Sequence, residues 1–233
     1  MPIPFLPPND DTSVFPPVDQ ALEMPNGLLM AGANLRPERL ISAYRHGIFP
    51  WYEEGEPILW WSPDPRCVIW PQNLKISRSL KKVLKQDTFE ITTNVAFREV
   101  IKHCGGPRPG SSGTWITQSM MDAYCHLARY HFAQSTEVWL DGKLVGGLYG
   151  IALGKVFVGE SMFSTVSNAS KAALVHLTQE QGYNLIDCQL ETDHLLSMGA
   201  SLISRKDYIG YLQQWGEPDA NLLLAGSLPA VRS

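Results

Sequence analysis

Two carboxylates in this sequence follow short apolar runs, where an acidic side chain is costly unless it is paired or used in chemistry. Glu160 comes directly after the run 156–159, and Asp187 comes directly after the apolar pair 185–186. Gln189 lies two positions beyond Asp187, so in a regular strand the side chains of these two residues face the same way. We therefore take Glu160, Asp187 and Gln189 as the candidate chemical centre.

The cysteines do not indicate a second kind of chemistry. They are Cys67, Cys104, Cys125 and Cys188, and their spacing is not that of a disulfide framework, so we expect reduced thiols. Cys188 should point away from its two polar neighbours, which favours a small core residue over a nucleophile. Adjacent His and Cys residues occur at 103–104 and 125–126, but the doubled ligand pairs of a structural zinc site are missing. We expect no metal site.

The segments around the two acids predict the elements that position them. A hairpin is predicted from strands at 137–140 and 143–149 around an Asp-Gly turn, and a third strand should end at Glu160. A helix at 169–181 then leads to the strand that carries Asp187. Three antiparallel strands, a helix and a further strand resemble the core of GCN5-related N-acetyltransferases.

Capping residues predict where several of the other helices begin. Asn34, with a proline three positions later, Thr117 and Asp193 are each suited to cap a helix. Ser204 and Asp207 form a capping box for a last helix.

A change in composition near residues 63–66 predicts a domain boundary. The preceding part is rich in aromatic residues and proline, whereas the following part shows regular helix and strand patterns. We predict a small N-terminal domain at 1–64 and an acyltransferase domain at 65–233. The expected fold class is α+β, with a small N-terminal α/β domain and a C-terminal GCN5-related N-acetyltransferase-like (GNAT) domain whose sheet is mainly antiparallel.

A basic helix face is the main sign of contact with nucleic acid. The segment 75–85 contains no acid, and its apolar residues recur at helical spacing, which leaves a basic face. This face contains Arg78, Lys81, Lys82 and Lys85. It suits contact with phosphates, although a solvated helix face is the alternative. Four tryptophans between positions 51 and 70 are compatible either with a small core or with stacked bases.

Charge and hydropathy give no sign of a membrane-spanning or secreted protein, or of a protein whose overall charge suits nucleic acid. The formal net charge of −4 gives no global signal for nucleic acid or membrane. No apolar run approaches the ~20 residues that cross a bilayer. The N-terminus lacks a basic region followed by an apolar stretch, so we expect a cytoplasmic protein.

A set of motifs occurs in order between about residue 25 and residue 208. The most distinctive are Tyr-Arg-His-Gly-Ile-Phe-Pro-Trp at 44–51, Trp-Trp-Ser-Pro-Asp-Pro-Arg at 60–66, Gly-Glu-Ser-Met-Phe-Ser at 159–164 and Leu-Ile-Asp-Cys-Gln at 185–189. Further matches lie at 27–29, 77–79, 114–116, 144–150 and 168–171. Together they resemble the leucyl/phenylalanyl-tRNA–protein transferase family.

The resemblance implies an aminoacyltransferase reaction. The donor is leucyl-tRNA or phenylalanyl-tRNA, and the acceptor is a protein with an N-terminal Arg or Lys. The product carries a new N-terminal Leu or Phe, which marks it for degradation by the N-end rule. Because the donor is already an activated ester, neither a metal nor another cofactor is required. We expect a monomer.

The resemblance also implies roles for the acids. Asp187 would orient Gln189, whose carbonyl draws a proton from the acceptor's ammonium group. An amide is a very poor base, so water or the departing ribose oxygen could be the net proton acceptor. Glu160 would face the acceptor's basic residue, and the alternative for Glu160 is a buried salt bridge.

Three further groups of residues complete the expected site. Candidates for the Leu or Phe side-chain pocket, each of which could also be a core residue, are Leu148, Phe157, Leu177 and Ile186. Candidates for stacking on the 3′-terminal adenosine are Tyr44, Trp51 and Trp115. Those expected to hold the phosphates of the acceptor stem are Arg78, Lys81, Lys82 and Lys85.

Two rival functions remain open on the sequence. An acyl-CoA-dependent N-acyltransferase should have a glycine-containing pyrophosphate loop at 164–170, and that segment contains no glycine. A non-catalytic tRNA-binding module would explain the basic segment 75–85 but not two acids on apolar strands.

Overall fold

The strands before residue 62 form one β-sheet, and the strands after residue 65 form another. The structure is a computed structural model that describes residues 3–86, 88–106 and 114–216. The smaller sheet has the strand order β1-β2-β4-β3. Its strands are β1 (Phe5–Leu6), β2 (Leu28–Gly32), β3 (Phe49–Pro50) and β4 (Leu59–Trp61). Helix α1 (Pro37–Arg45) connects β2 to β3.

The larger sheet has seven strands and carries both candidate acids. Its strands are β5 (Arg66–Ile69), β6 (Glu90–Thr93), β7 (Ala133–Leu140), β8 (Lys143–Leu153), β9 (Val156–Ser164), β10 (Leu185–Gln189) and β11 (Ser201–Ile203). Their order is β11-β5-β10-β9-β8-β7-β6. Only the β9–β10 pair is parallel among these described strands, and the other neighbours are antiparallel. The predicted α+β class with a mainly antiparallel sheet is confirmed.

Six helices follow α1 in the described part of the chain. They are α2 (Arg78–Lys85), α3 (Phe97–Cys104), α4 (Gln118–Arg129), α5 (Ala169–Glu180), α6 (Asp193–Ser197) and α7 (Arg205–Trp215). Helix α5 is the predicted crossover between β9 and β10, which explains why those two strands are parallel. None of the described helices is both long and apolar enough to cross a membrane.

The capping predictions were half correct. Thr117 accepts a hydrogen bond from the amide of Met120, and Ser204 accepts one from the amide of Asp207, as predicted. The prediction for Asp193 was wrong by one residue, because the hydroxyl of the preceding threonine caps α6. The prediction for Asn34 was wrong by two residues, since α1 starts after Arg36. The side-chain Oδ1 of Asn34 instead accepts a hydrogen bond from the Arg36 amide.

Two hydrophobic clusters cover different parts of the large sheet. The larger cluster joins the small sheet to α1, α3, α4 and α7, and it contains the fully buried Trp60. The second cluster packs under α5, where Ile69 of β5 and Ile186 of β10 are directly paired. Strand β8 lets α5 approach closely, because a side chain at Gly146 would place its Cβ 2.5 Å from that of Ala169. Helix α5 therefore packs tightly against this face of the sheet.

Candidate active site

A cavity of about 400 Å³ lies against β8, β9, β10 and α5, and its wall changes from apolar to polar. All four residues predicted for a side-chain pocket line it, namely Leu148, Phe157, Leu177 and Ile186. Glu160 and Gln189 line the polar part, together with Cys188, Thr192 and His194. The structure thus brings the predicted pocket residues together with two of the three candidate catalytic residues, while their roles stay predictions.

The polar end of the cavity lies where β9 and β10 stop pairing. In the described sheet, the parallel ladder between these strands ends at the pair Val158 and Asp187. Glu160 and Gln189 each stand two residues beyond that pair. Their side chains bridge the two strands, since Gln189 Nε2 donates to Glu160 Oε1 at 2.9 Å.

Glu160 is 8% exposed and already accepts several hydrogen bonds. Its Oε1 also accepts from the Tyr44 hydroxyl at 2.7 Å, and its Oε2 accepts from the Tyr124 hydroxyl at 3.2 Å. The two tyrosine hydroxyls contact each other as well. The partners of Glu160 are thus two phenols and an amide, which is not the buried salt bridge that the sequence left open. A basic acceptor side chain would have to compete with these three donors.

Burial controls the electrostatics of this cluster. It raises the pKa of Glu160 from 4.5 to about 7, although the hydrogen bonds from Tyr44 and Tyr124 act in the opposite direction. Burial, and then the charge of Glu160, raise the pKa of both phenols well above 10. The tyrosines therefore keep their protons near neutral pH, while Glu160 is divided between its two forms.

Asp187 is fully buried and holds an ion pair of the kind that the sequence left open as the alternative for Glu160. Arg66 Nε and Nη2 donate to its two carboxylate oxygens at 2.8 and 2.7 Å. The Tyr208 hydroxyl donates to Oδ2 at 2.7 Å, and Arg66 Nη1 donates to the carbonyl of Gly47 at 3.1 Å. Burial alone would lower the pKa of Arg66, but the charge of Asp187 raises it. Both charges are therefore kept in the interior.

Asp187 reaches Gln189 through the backbone and not through the side chain. A bulge interrupts the pairing of β10 with β5 between these residues, and Gln189 has a positive φ of 62°. Asp187 Oδ1 accepts from the backbone amide of Gln189 at 2.8 Å, which fixes this unusual turn. The predicted contact between the two side chains is thus replaced by support of the Gln189 backbone. Cys188, which we expected to point away, lines the cavity beside Gln189.

The three aromatic residues expected to bind an adenosine are not in one place. Trp115 lines the cavity, whereas Trp51 is 42% exposed and packs on Trp61. Tyr44 is 1% exposed, so it offers no free face to a base. The structure contradicts the stacking prediction for Tyr44, because its hydroxyl is used by Glu160 and its ring contacts Tyr124.

The predicted basic face lies on α2, which starts after its cap Ser77. Leu80 anchors this helix in the core, and the four basic side chains are exposed. Those four are Arg78, Lys81, Lys82 and Lys85. Their contact with phosphates stays a prediction.

Sequence reasoning missed three site residues. Arg66 was taken only as the end of a motif, although a charge that leads into a buried strand requires a partner. Tyr124 and Tyr208 were not singled out. A buried tyrosine usually finds a partner for its hydroxyl, and this was the available signal. Among the described residues, no group of three or more His, Cys, Asp or Glu side chains could hold a metal ion.

The buried ion pair predicts a large effect of Asp187→Asn on stability. This change leaves the Arg66 guanidinium buried without its counter-charge, so the free energy of unfolding should fall by about 3–5 kcal/mol. Tyr208→Phe keeps the ion pair and removes one hydrogen bond, so it should cost about 1–3 kcal/mol. Urea unfolding at pH 7 measures both variants. Equal losses would show that the ion pair is not the main support of this site.

The raised pKa of Glu160 predicts a pH-dependent effect of Glu160→Gln. A carboxyl whose pKa rises on folding favours the folded state below its unfolded pKa, and this contribution is lost as the pH rises through the folded pKa. The window therefore runs from pH 4.5 to about 7. Between pH 5 and pH 8, the unfolding free energy of the variant should improve by about 2–3 kcal/mol relative to the parent protein. A difference that does not change with pH would contradict the raised pKa.

Comparisons with known proteins agree in pointing to one family. The model of the leucyl/phenylalanyl-tRNA protein transferase family matches residues 68–213, and the model of its N-terminal domain matches residues 33–64. A leucyl/phenylalanyl-tRNA–protein transferase of Azoarcus sp. is 54% identical over 216 residues, which cover 90% of this chain and 92% of the relative. One of Pseudomonas putida is 55% identical over 205 residues, which cover 87% and 91%.

Solved structures with a related arrangement are much more distant in sequence. A GCN5-related N-acetyltransferase from Kribbella flavida has a TM-score of 0.34 and 11% identity, with 71% of this chain and 60% of that chain covered. A conserved protein from Bacteroides thetaiotaomicron has a TM-score of 0.44 and 11% identity, with coverage of 78% and 67%. The family models and the close relatives decide the assignment: the chain belongs to the leucyl/phenylalanyl-tRNA–protein transferase family.

Proposed function

We propose that this protein transfers Leu or Phe from aminoacyl-tRNA to the α-amino group of proteins that begin with Arg or Lys. The transfer forms a peptide bond and creates a degradation signal of the N-end rule. The observation that carries this proposal is an apolar cavity ending at the hydrogen-bonded pair Glu160 and Gln189, in a chain of this family. The apolar wall would take the donor's side chain, and the polar end would face the reacting ester.

The wall of the cavity suits both proposed amino acids. Phe157 and Ile186 come from the sheet, and Leu177 comes from α5, so the wall offers aliphatic and aromatic contacts without a charge. An apolar pocket discriminates poorly between side chains that differ by a few carbon atoms. This supports a site that accepts Leu and Phe and would disfavour polar or charged residues.

Gln189 is proposed to hold the acceptor's amine in place. Its Nε2 donates to Glu160, so its carbonyl oxygen is the acceptor atom of the amide. That oxygen would accept a hydrogen bond from the incoming ammonium group next to the ester. Asp187 would act indirectly, because its carboxylate accepts a hydrogen bond from the backbone amide of Gln189. The ester is already activated, so the reaction as proposed requires neither ATP nor a metal.

The tRNA would lie on the outer surface of the chain. Trp115 at the cavity is the proposed stacking partner for the 3′-terminal adenosine, and the exposed Trp51 could contact a neighbouring nucleotide. The basic face of α2 would hold phosphates of the acceptor stem.

Such a donor implies that the protein works in the cytoplasm. We also propose a monomer, and the two sheets support a domain division near residue 64.

A transfer assay with matched donors tests the function. Leucyl-tRNA and acetyl-CoA are each offered with a peptide that begins with Arg, and peptide products are measured by mass. We expect leucylated peptide from leucyl-tRNA and no acetylated peptide. Acetyl transfer would support the acyl-CoA rival, whereas binding of tRNA without any product would support the non-catalytic module.

The same assay addresses the acceptor and the role of Asp187. Peptides that begin with Arg or Lys should be modified, whereas one that begins with Ala should not. Asp187→Asn should lower transfer, because the backbone of Gln189 loses a charged acceptor. Full transfer by this variant, at a temperature where it is folded, would remove Asp187 from the proposed machinery.

Charge reversal on α2 tests the proposed tRNA surface. Arg78→Glu combined with Lys82→Glu should weaken tRNA binding and reduce the slope of log K against log salt by about 1.5–2, if each residue neutralises one phosphate. Lys143→Glu combined with Lys206→Glu changes the charge equally at exposed positions away from α2, and serves as the control. Fluorescence anisotropy with labelled tRNA measures both. Equal affinities for the two double variants would make α2 an ordinary solvated surface.

A further inference from the structure

Three oxygen-bearing groups form a closed ring of contacts at the polar end of the cavity. Tyr44 contacts Glu160 Oε1, Tyr124 contacts Glu160 Oε2, and the two hydroxyls contact each other. Three hydrogen bonds between oxygens require three protons, and two tyrosines supply only two. The third proton arrives when Glu160 is protonated. The ring is therefore incomplete with an ionised Glu160 and complete with a neutral one.

We propose that Glu160, supported by Tyr44 and Tyr124, accepts the proton released by the α-ammonium group of the acceptor protein. This inference rests on the transfer function proposed above. Glu160 lines the cavity beside Gln189, so a proton held near the amide of Gln189 lies within reach of the carboxylate, directly or through one water. In this assignment Glu160 is a catalytic residue, and the two tyrosines are positioning residues.

The step balances in atoms and charge. The ammonium group gives one proton to the carboxylate of Glu160 and becomes a neutral amine. The amine nitrogen then attacks the ester carbonyl, a C–N bond forms, and the bond from that carbon to the ribose oxygen breaks. The second proton of the nitrogen goes to the ribose oxygen, which leaves as a hydroxyl. Glu160 afterwards returns its proton to the solvent.

The other polar groups of the site are less suited to this task. Gln189 is an amide and does not take a proton near neutral pH. Asp187 accepts from Arg66, Tyr208 and the Gln189 backbone, so its oxygens are fully used. Glu160 differs because burial raises its pKa to about 7, which is close to the value that suits a general base.

Charged and titratable groups surround the ring from several elements. Asp187 on β10 raises the pKa of Glu160, and Arg66 on β5 is paired with that aspartate. Tyr149 on β8 packs on the ring of Tyr124, and His194 on α6 lines the same cavity. The experiment must therefore separate Glu160 from the other groups that line the cavity.

The first test compares pH profiles of kcat/KM for the parent protein and Glu160→Gln, with leucyl-tRNA and peptides beginning with Arg or Ala. The parent profile should rise as Glu160 ionises, because the ammonium form of the peptide is the one that gives its proton to this carboxylate. Glu160→Gln should lose this rise and instead follow the ionisation of the peptide's own amine, which must then lose its proton to solvent. Its rate should fall by about 10²–10⁴-fold with either peptide. A rate within about threefold of the parent, or a profile in Glu160→Gln that still rises as the parent's does, would overturn the proposal.

The same data separate proton transfer from recognition of the acceptor. If Glu160 binds the basic side chain instead, Glu160→Gln should lose rate with the Arg peptide much more than with the Ala peptide. The proposal requires equal losses. A selective loss would overturn it in favour of the recognition role expected from the sequence.

The second test needs no substrate, so it remains informative if the transfer function itself is wrong. Infrared difference spectra against pH should show a protonated carboxyl band with a midpoint near 7 that is absent in Glu160→Gln. Tyr44→Phe and Tyr124→Phe each remove a donor to the carboxylate and should raise this midpoint by about one pH unit. Tyr183→Phe removes a buried hydroxyl that donates to Gln134, away from this ring, and should leave the midpoint unchanged.

The pH profiles of kcat/KM in the two tyrosine variants test whether the group that titrates is also the group that accepts the proton. In Tyr44→Phe and Tyr124→Phe, the acid limb of kcat/KM should move upward by the same amount as the infrared midpoint. If the infrared midpoint moves but the acid limb of kcat/KM does not, Glu160 titrates without accepting the proton of the acceptor. A missing infrared band together with normal transfer would overturn the inference and leave the proposed function intact.

Discussion

The buried ion pair between Arg66 and Asp187 is the constraint on which the rest of the site depends. Both side chains are removed from water, and such a pair is stable only if its remaining hydrogen-bonding groups are also satisfied. Here they are, because the guanidinium binds Asp187 in two places and reaches the carbonyl of Gly47, while Tyr208 donates to the carboxylate. The pair thus joins β5, β10, α7 and the end of α1. The last acceptor position of Asp187 is used to hold the backbone of Gln189.

The two carboxylates of the site take different forms because their surroundings differ. Asp187 is paired with the buried guanidinium of Arg66. Glu160 faces only neutral donors, and burial moves its pKa close to neutrality. The ion pair therefore serves the reaction indirectly, because it fixes Gln189 and leaves Glu160 as the acid that can change its charge.

The sequence predicted the elements of the site better than their contacts. Apolar alternation and an Asp-Gly turn were enough for β7, β8, β9, α5 and β10, because these signals are local. The bulge before Gln189 follows from an ion pair with Arg66, which lies 121 residues from Asp187, so no local pattern could reveal it. A salt bridge was considered only as the alternative for Glu160, because burial of an acid is readable from the sequence but its partner is not. Tyr44 likewise looked like a stacking surface until its burial was known.

The end of the pairing between β9 and β10 explains the positions of Glu160 and Gln189. After Val158 and Asp187 the described ladder ends, and the bond from Gln189 to Glu160 takes the place of the next backbone contact. This bond is charge-assisted when Glu160 is ionised and becomes an ordinary hydrogen bond when it is protonated. The bridge is therefore strongest before the proposed proton transfer and weaker after it. Protonation of Glu160 therefore completes the hydrogen bonds with the two tyrosines and weakens the hydrogen bond from Gln189. In this way the proposed proton transfer and the positioning of Gln189 are coupled through one carboxyl group.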